Sequence, residues 1–437
     1  MPIQHKWSIH RYLSDGHEGL LSKLELSNSQ ISFLKGLRKQ ARTQIRNVFS
    51  EAQDIFRDAK KLSPDEHTQI YLRQQIKAKR SFDHVSDDML AALVKLASNL
   101  DDEQRRAFLK IRPKFWTQGS FQYKTLNVPY RKPPQEMDID DGVYFPMQMF
   151  EDAPALAHKL MIALVDTALQ SLAAENDGWV FDNTKPTCAR IHIADQNVHL
   201  DVPMYAIPEE KFVLMKESLD ARGSNESFAD SNEFWLSDET RLDPNSVHLA
   251  RRDSEKWQKS DPQVVQKWFT ESVNDVGEHL RLSCRFLKGW RDVTWENGGG
   301  PSSIALMKCA VDTLGQSPLD GKDLGLAINA VASNLAKQFN AGVESPDPSD
   351  ERPLFPDSSQ HNEKQRNMVE AALKLELFLH AAMTAQTRED ASRYLSHVFG
   401  ERGISTTLLN STFAAPVYAT PADKSIPAEI EKTMTSG

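Results

Sequence analysis

Residues 115–146 read FWTQGSFQYKTLNVPYRKPPQEMDIDDGVYFP, and the fold and chemistry of the chain turn on them. Asp138 and Asp140 stand one residue apart. In an extended strand, positions i and i+2 point to the same face, so this spacing brings two carboxylates onto one divalent cation. Ile139, Val143 and Tyr144 favour a strand, nothing in DIDDGVYF repeats at helical spacing, and Gly142 is a place for a kink. Upstream, Gly119 and Ser120 make a small-residue turn whose N–H groups and hydroxyl suit phosphate oxygens. Together these features predict a strand holding Mg2+ beside a nucleoside triphosphate.

Each half of that pattern is common by itself: a Gly-Ser pair is usually a turn, and Asp-x-Asp usually a solvated loop or a helix cap. A third carboxylate strengthens it. In RIHIADQNVHLDVP, residues 190–203, Ile191 and Ile193 and then Val198, Leu200 and Val202 alternate with polar residues on either side of an Asp-Gln-Asn turn. This is a hairpin signature, and it puts Asp201 on the polar face of the second strand, in phase with His199.

A Gly-Ser turn, an Asp-x-Asp strand and a lone Asp on a later strand resemble the polymerase-β-type nucleotidyltransferases. The fuller strings WTQGSFQY, QEMDIDDG, HLDVPMYAIP, CRFLKGWRD and GGPSSI resemble the cGAS/DncV-like nucleotidyltransferase family over nearly the whole chain, from the basic helix near residue 38 to Gly437. The resemblance implies an α+β fold: a polymerase-β-like nucleotidyltransferase core with a mixed sheet, a long N-terminal spine helix and a C-terminal helical domain. It implies a cyclic dinucleotide synthase that makes 3′,3′-cyclic GMP-AMP from ATP and GTP as a second messenger in anti-phage defence. Asp138, Asp140 and Asp201 would hold two Mg2+ ions, and the segment Gln118, Gly119, Ser120, Phe121, Gln122 and Tyr123 would hold nucleotide. By the same resemblance Ser260, Lys288 and Ser303 contact nucleotide, Arg190 lies near the acceptor nucleotide and Asp350 contacts the guanine base.

Bulk composition sets limits. The 437 residues leave room for two or three domains. Lys and Arg total 52 against 61 Asp and Glu, a net charge of −9, so a broad nucleic-acid or anionic-membrane surface is not expected. The three cysteines, Cys188, Cys284 and Cys309, lack metal-ligand spacing and suit a reducing cytosol as small buried residues. The start, MPIQHKWSIHRYL, has no uninterrupted apolar core for a signal peptide. The most apolar run, LMIALVDTALQSLAA, is interrupted by Asp166, so no membrane span is expected and the location is read as cytoplasmic.

Five regions follow in order. Residues 1–110 read as a helical N-terminal region whose spine helix runs over 26–62. It is capped by Ser27, Asn28 or Ser29 and carries an apolar stripe through Ile31, Leu34, Leu37, Ala41, Ile45, Val48 and Phe49. Arg38, Arg42 and Arg46 recur at i, i+4 and i+8, which periodicity alone reads as a solvated basic face. The family resemblance instead implies a rear pocket for a folate-like inhibitor, built from these arginines with Lys114, Phe115, Trp116 and Asp261. Lys114 replaces an arginine there and lacks its bidentate fork.

Residues 111–215 form the catalytic core, including a strong helix over 153–175. Residues 216–258 read as a polar loop or insertion. Residues 259–412 form a helical domain, with one long helical pattern from Val264 to Trp295 after Pro262. A further helix follows GGGPSS, and a Pro-, Asp- and Ser-rich segment begins at 342. Residues 413–437 read as a mobile tail. Family resemblance implies that a ubiquitin-conjugation-like enzyme joins Gly437 to a target, and that a downstream effector such as a phospholipase answers the messenger. Two other functions fit the residues: a template-independent oligonucleotide polymerase of the same fold, which would need a basic primer groove, and a catalytically silent helical scaffold presenting its tail.

Overall fold

The computed structural model describes residues 5–59, 63–146, 154–207, 247–254, 256–316, 321–348, 350 and 352–412. A short strand β1 (Trp7–Ser8) and helices α1 (His10–Ser14) and α2 (Leu20–Leu24) lead into the long α3 (Asn28–Asp58). Ser27 starts α3 with a capping box: its hydroxyl accepts from the Gln30 N–H at 3.2 Å, and its own N–H donates to the Gln30 side chain at 2.8 Å. Next come α4 (Glu66–Lys77), α5 (Asp87–Ser98) and α6 (Asp102–Phe108). The core elements are β2 (Lys114–Gln118), α7 (Gly119–Gln122), β3 (Met137–Pro146), α8 (Pro154–Ala174), β4 (Trp179–Asp182), β5 (Cys188–Ile193), β6 (Val198–Ile207), β7 (His248–Arg251) and β8 (Lys256–Lys259). The helical part consists of α9 (Pro262–Val276), α10 (Glu278–Thr294), α11 (Ser303–Gln316), α12 (Leu324–Ala341), α13 (Glu363–Thr384) and α14 (Arg388–Phe399), and β9 (Asn410–Ser411) follows.

The main sheet runs β2-β3-β6-β5-β4, with β7 added to β6 and β8 to β7. Among the described residues only β3 and β6 are parallel, so the sheet is mixed. The ladder between them skips Asp141 and Gly142, opposite Val202 and Pro203, where proline has no N–H to give. One face of the sheet packs on α3, α5 and α8 through Leu37, Ile45, Phe49, Leu93, Leu164, Ile139, Val143 and Leu200, all buried. A second core joins α9 to α14 through Phe269, Leu287, Leu306, Val331, Leu379 and Leu395.

The α+β class, the mixed sheet, the spine helix and the helical second part agree with the sequence reading. Four boundaries differ. Ile9, Tyr12, Leu13, Leu20 and Leu24 belong to the second core, so the first residues of the chain pack with the helical domain, not with the N-terminal helices. The segment 216–258 is not wholly a loop: 247–254 carries β7, with Leu249 and Ala250 buried, and β8 begins at Lys256. Residues 208–246 and the tail from 413, including Gly437, lie outside the described residues. The expected helix from Val264 to Trp295 is two helices, because Gly277 adopts φ +111° and ends the first. The spine helix ends at Asp58, short of 62.

Candidate active site

Strand alternation and register assemble the site. In β3 Ile139, Asp141 and Val143 face α3 and α8, while Asp138, Asp140, Gly142 and Tyr144 face the other way. Asp140 is registered directly against Asp201 of β6, and Asp138 against His199. On the flanks Gln118 of β2 pairs with Asp140, Arg190 of β5 with Asp201, and Asp182 of β4 with Arg190. One row across five strands therefore reads Gln118, Asp140, Asp201, Arg190, Asp182, with Asp138 and His199 in the row beside it.

The carboxylates differ in how their charge is met. Asp201 is gripped by Arg190 (Nε to Oδ1 2.5 Å, Nη2 to Oδ2 2.6 Å) and by Lys185 Nζ at 2.8 Å. Burial alone would raise its pKa, but the Arg190 hydrogen bonds lead a set of positive neighbours that holds it down to about 2. Asp140 is pushed well above the usual carboxylate range by burial, then by Asp138 and Asp201, against the pull of Lys185 and Arg190. Asp138 is half-exposed, and its Oδ1 lies 2.8 Å from His199 Nε2 in ion-pair contact, off line for a hydrogen bond. Burial opposes charging of His199, yet the Asp138 carboxylate raises its pKa overall. Ligand atoms of Asp138, His199 and Asp201 lie within 4.8 Å of one another. Asp138, Asp140 and Asp201 present carboxylate oxygens from adjoining strands, the donor type a hard divalent cation takes, and a cation there would relieve the crowding that raises Asp140, so the residues fit such an ion.

Gly119 is fixed by this arrangement. Its φ is +66°, and a Cβ there would sit 2.1 Å from Asp140 Oδ2. No other residue lets the backbone of α7 approach the carboxylates so closely. A Cβ at Gly142 would meet Gln118 Nε2 at 2.0 Å, and β3 continues through this residue.

The other expected nucleotide residues are spread over several elements. Gln118 is buried and bound to two tyrosines: its Nε2 donates to Tyr144 Oη at 3.3 Å, and Tyr205 Oη donates to its Oε1 at 3.1 Å. Ser120 is half-buried at the start of α7, Gln122 is buried, Phe121 leans on the first core, and the Tyr123 ring packs at 5.9 Å from Phe269 in the second. Lys288 is buried and donates to the Thr125 carbonyl at 2.8 Å, tying α10 to the chain after α7. Burial pushes its pKa down to about 8. The Ser260 N–H donates to the Val247 carbonyl at 3.1 Å, and Ser303 Oγ accepts from Arg291 at 2.9 Å. Asp350 accepts from Arg352 Nε at 2.8 Å, in the irregular segment after α12.

The arginine stripe lies behind the sheet. Arg42 makes two hydrogen bonds to Asp141, at 2.6 and 2.7 Å, and a third to Thr117 Oγ1 at 3.0 Å. Arg38 donates to the same Thr117 oxygen at 2.7 Å, and both arginines are buried. Only Arg46 is exposed, 4.9 Å from the Phe115 ring centroid. A solvated basic face therefore describes one arginine of three. Alternation along edge strand β2 places Phe115 on this rear side and Lys114 and Trp116 on the carboxylate side. Trp116 Nε1 donates to Gln266 at 3.0 Å, and buried Asp261 caps α9 by accepting from the Gln263 N–H at 3.0 Å.

Sequence reasoning passed over Lys185, Glu136 and His192 and used His199 only for phase. The turn between β5 and β6 carried a usable signal: a hairpin closing at Ile193 and Val198 forces His192 opposite His199.

Comparison with known proteins bears directly on this geometry. A family model described as "Cyclic GMP-AMP synthase DncV-like, nucleotidyltransferase domain" matches residues 113–205, and one described as "Cyclic GMP-AMP synthase, C-terminal domain" matches 277–412. A cyclic GMP-AMP synthase of Escherichia coli is 42% identical, covering 99% of this chain and 100% of its own. That of Vibrio cholerae serotype O1 is 40% identical, covering 99% of each. The chain belongs to the DncV-like cyclic GMP-AMP synthase family. Vibrio cholerae DncV solved with the linear intermediate 5′ pppA(3′,5′)pG superposes with a TM-score of 0.83 at 39% identity, over 94% of this chain and 100% of that one. The same protein with GTP and 5MTHFGLU2 gives 0.83 at 40% identity, over 93% and 99%. As a DncV-like enzyme the chain is a nucleotidyltransferase, and the two matched regions cover β2 to most of β6 and then α10 to β9. Among the described residues no helix is long and apolar enough to cross a membrane.

Proposed function

We propose that this chain makes 3′,3′-cyclic GMP-AMP from ATP and GTP, releasing pyrophosphate, with Asp138, Asp140 and Asp201 holding two Mg2+ ions. The observation that carries the reading is the registered meeting of Asp140 with Asp201 beside Asp138, on the face that Gly119 approaches. Mg2+, when bound, supplies positive charge to the triphosphate and makes a ribose 3′-hydroxyl easier to deprotonate. The protein's own part is placement. The N–H groups and hydroxyl at Gly119 and Ser120 donate to the donor triphosphate, with Gln118, Phe121, Gln122 and Tyr123 shaping that segment. Lys288, Ser260 and Ser303 serve the nucleotide from the helical side, Asp350 the guanine, and Arg190 the acceptor, while Arg190 and Lys185 hold Asp201 ionised. The 3′-oxygen bonds to the α-phosphorus as the bond to pyrophosphate breaks, and a second round closes the ring.

The relatives' names and bound ligands support this substrate pair: structures of DncV hold GTP and the linear intermediate. Purified protein incubated with Mg2+ and all four nucleoside triphosphates is expected to yield cyclic GMP-AMP by mass spectrometry. Linear oligomers alone would overturn the reading in favour of a template-independent polymerase. A DncV structure also holds the folate-like 5MTHFGLU2, so we assign Arg38, Arg42, Arg46, Lys114, Phe115, Trp116 and Asp261 to a regulatory folate-like pocket; undiminished folate inhibition in Arg46→Ala would remove Arg46 from it. The proposal further includes cytoplasmic anti-phage signalling to an effector such as a phospholipase, and conjugation through Gly437 by a ubiquitin-conjugation-like enzyme. The family resemblance supports both. Deleting Gly437 is expected to stop conjugation and leave synthesis intact.

A further inference from the structure

Beside the row of Asp140 and Asp201 stands a second set of side chains to which the proposed nucleotidyl transfer assigns no role. Glu136 precedes β3, His192 lies on β5 and His199 on β6. Glu136 Oε2 is 3.1 Å from His199 Nδ1 and 3.3 Å from His192 Nδ1. One ligand atom from each of the three residues lies within 4.8 Å of the others. A tetrahedral centre with bonds of about 2.0–2.1 Å has edges of roughly 3.3 Å, so Glu136 already stands at ligand spacing from both imidazoles. The sheet fixes this spacing, because His192 and His199 are registered partners on neighbouring antiparallel strands, with ring centroids 5.9 Å apart.

The outer nitrogens also lie near carboxylates, in charge contact and not in hydrogen bonds. His192 Nε2 faces Asp182 Oδ2 at 3.6 Å, and His199 Nε2 faces Asp138 Oδ1 at 2.8 Å. A carboxylate behind each ligating imidazole is the usual arrangement at zinc, where it sets the tautomer and ring orientation and makes the nitrogen a better donor. The site is half-open: the side chains of His192 and Glu136 are 32% and 23% exposed, which leaves a direction from which water completes the coordination.

We propose that Glu136, His192 and His199 bind a divalent cation of the Zn2+ class, at a site separate from the carboxylates that take Mg2+. Two imidazoles and one carboxylate suit borderline-soft metals, whereas Mg2+ prefers an all-oxygen shell. His199 links the two sites. With its Nδ1 on the metal, its Nε2 carries the proton and stays beside Asp138 Oδ1 at 2.8 Å, so an occupied site lies against that carboxylate.

The test is a titration of Zn2+ against a chromophoric chelator, on the metal-stripped full-length protein in excess Mg2+. One equivalent of zinc is expected to bind, and His192→Ala and Glu136→Gln are each expected to weaken it at least ~10-fold. Asp201→Ala is expected to retain it. Co2+ in place of zinc is expected to give the visible bands of a four-coordinate nitrogen and oxygen site, absent in His192→Ala. The proposal is overturned if no stoichiometric zinc binds in the presence of Mg2+, or if Asp201→Ala loses the metal while His192→Ala keeps it. Far-ultraviolet circular dichroism and thermal melting establish that each variant is folded. Should His192→Ala melt early, His192→Gln keeps the side-chain volume and gives the same reading.

Discussion

Asp140 and Asp141 are neighbours on one strand and live under opposite rules. Asp141 points to the rear, where Arg42 and Thr117 meet its oxygens at 2.6 to 2.9 Å, so its counter-charge is built into the fold. Asp140 points to the front, where burial, Asp138 and Asp201 all raise its pKa. The two neighbours thus differ in whether the fold itself supplies their counter-charge. At Asp141 the answered charge holds elements together, whereas the charge of Asp140 is not offset by the fold, which supports the metal role proposed for it.

The comparison breaks most sharply under Asp140→Asn. Turnover is expected to fall on the order of 10^3-fold, while the melting temperature holds or rises because a like-charge repulsion is gone. Steady-state kinetics and calorimetry check this, and a large loss of stability would show Asp140 to be structural after all. On the rear face the signs reverse. Arg42→Met is expected to cost about 3–5 kcal/mol in denaturant unfolding by stranding Asp141, and the Arg42→Met/Asp141→Leu double variant to regain most of it.

Gly119→Ala sharpens the front side, since its Cβ collides with the Asp140 oxygen. A turnover loss of about 10²-fold with little change in unfolding is expected, the signature of displaced geometry. The smallest effect belongs to Lys288. Its folded pKa of about 8 lies below the 10.5 of an ordinary lysine, so between those values the unfolded chain binds more protons. The stability of the protein relative to Lys288→Met is expected to rise with pH across that window, as measured by unfolding curves for both.

How much of this was legible in the sequence depends on the range of the contact involved. The strand carrying Asp138 and Asp140 and the hairpin holding Asp201 are local patterns, and both elements are present. The parallel register that sets Asp140 against Asp201 is not local, and no pattern along the chain specifies it. Arg42 looked solvated because its partner Asp141 lies 99 residues away. The α1 segment is too short to show a period, and its meaning comes from α12, where the Leu324 N–H donates to His10 Nδ1 at 3.1 Å. A single glycine inside a helical pattern is normally absorbed; Gly277 breaks its helix because its φ lies where other residues rarely go. The strands HLAR and KWQK, four residues each, are shorter than an alternation test can resolve.

The zipping of β1 to β9 has a mechanical side. The Thr412 N–H donates to the Lys6 carbonyl at 3.0 Å, and the Lys6 N–H to the Met383 carbonyl at 2.7 Å. Tension applied beyond residue 412 would thus be borne first by this two-strand clasp and by α13. The carboxylates sit on another sheet.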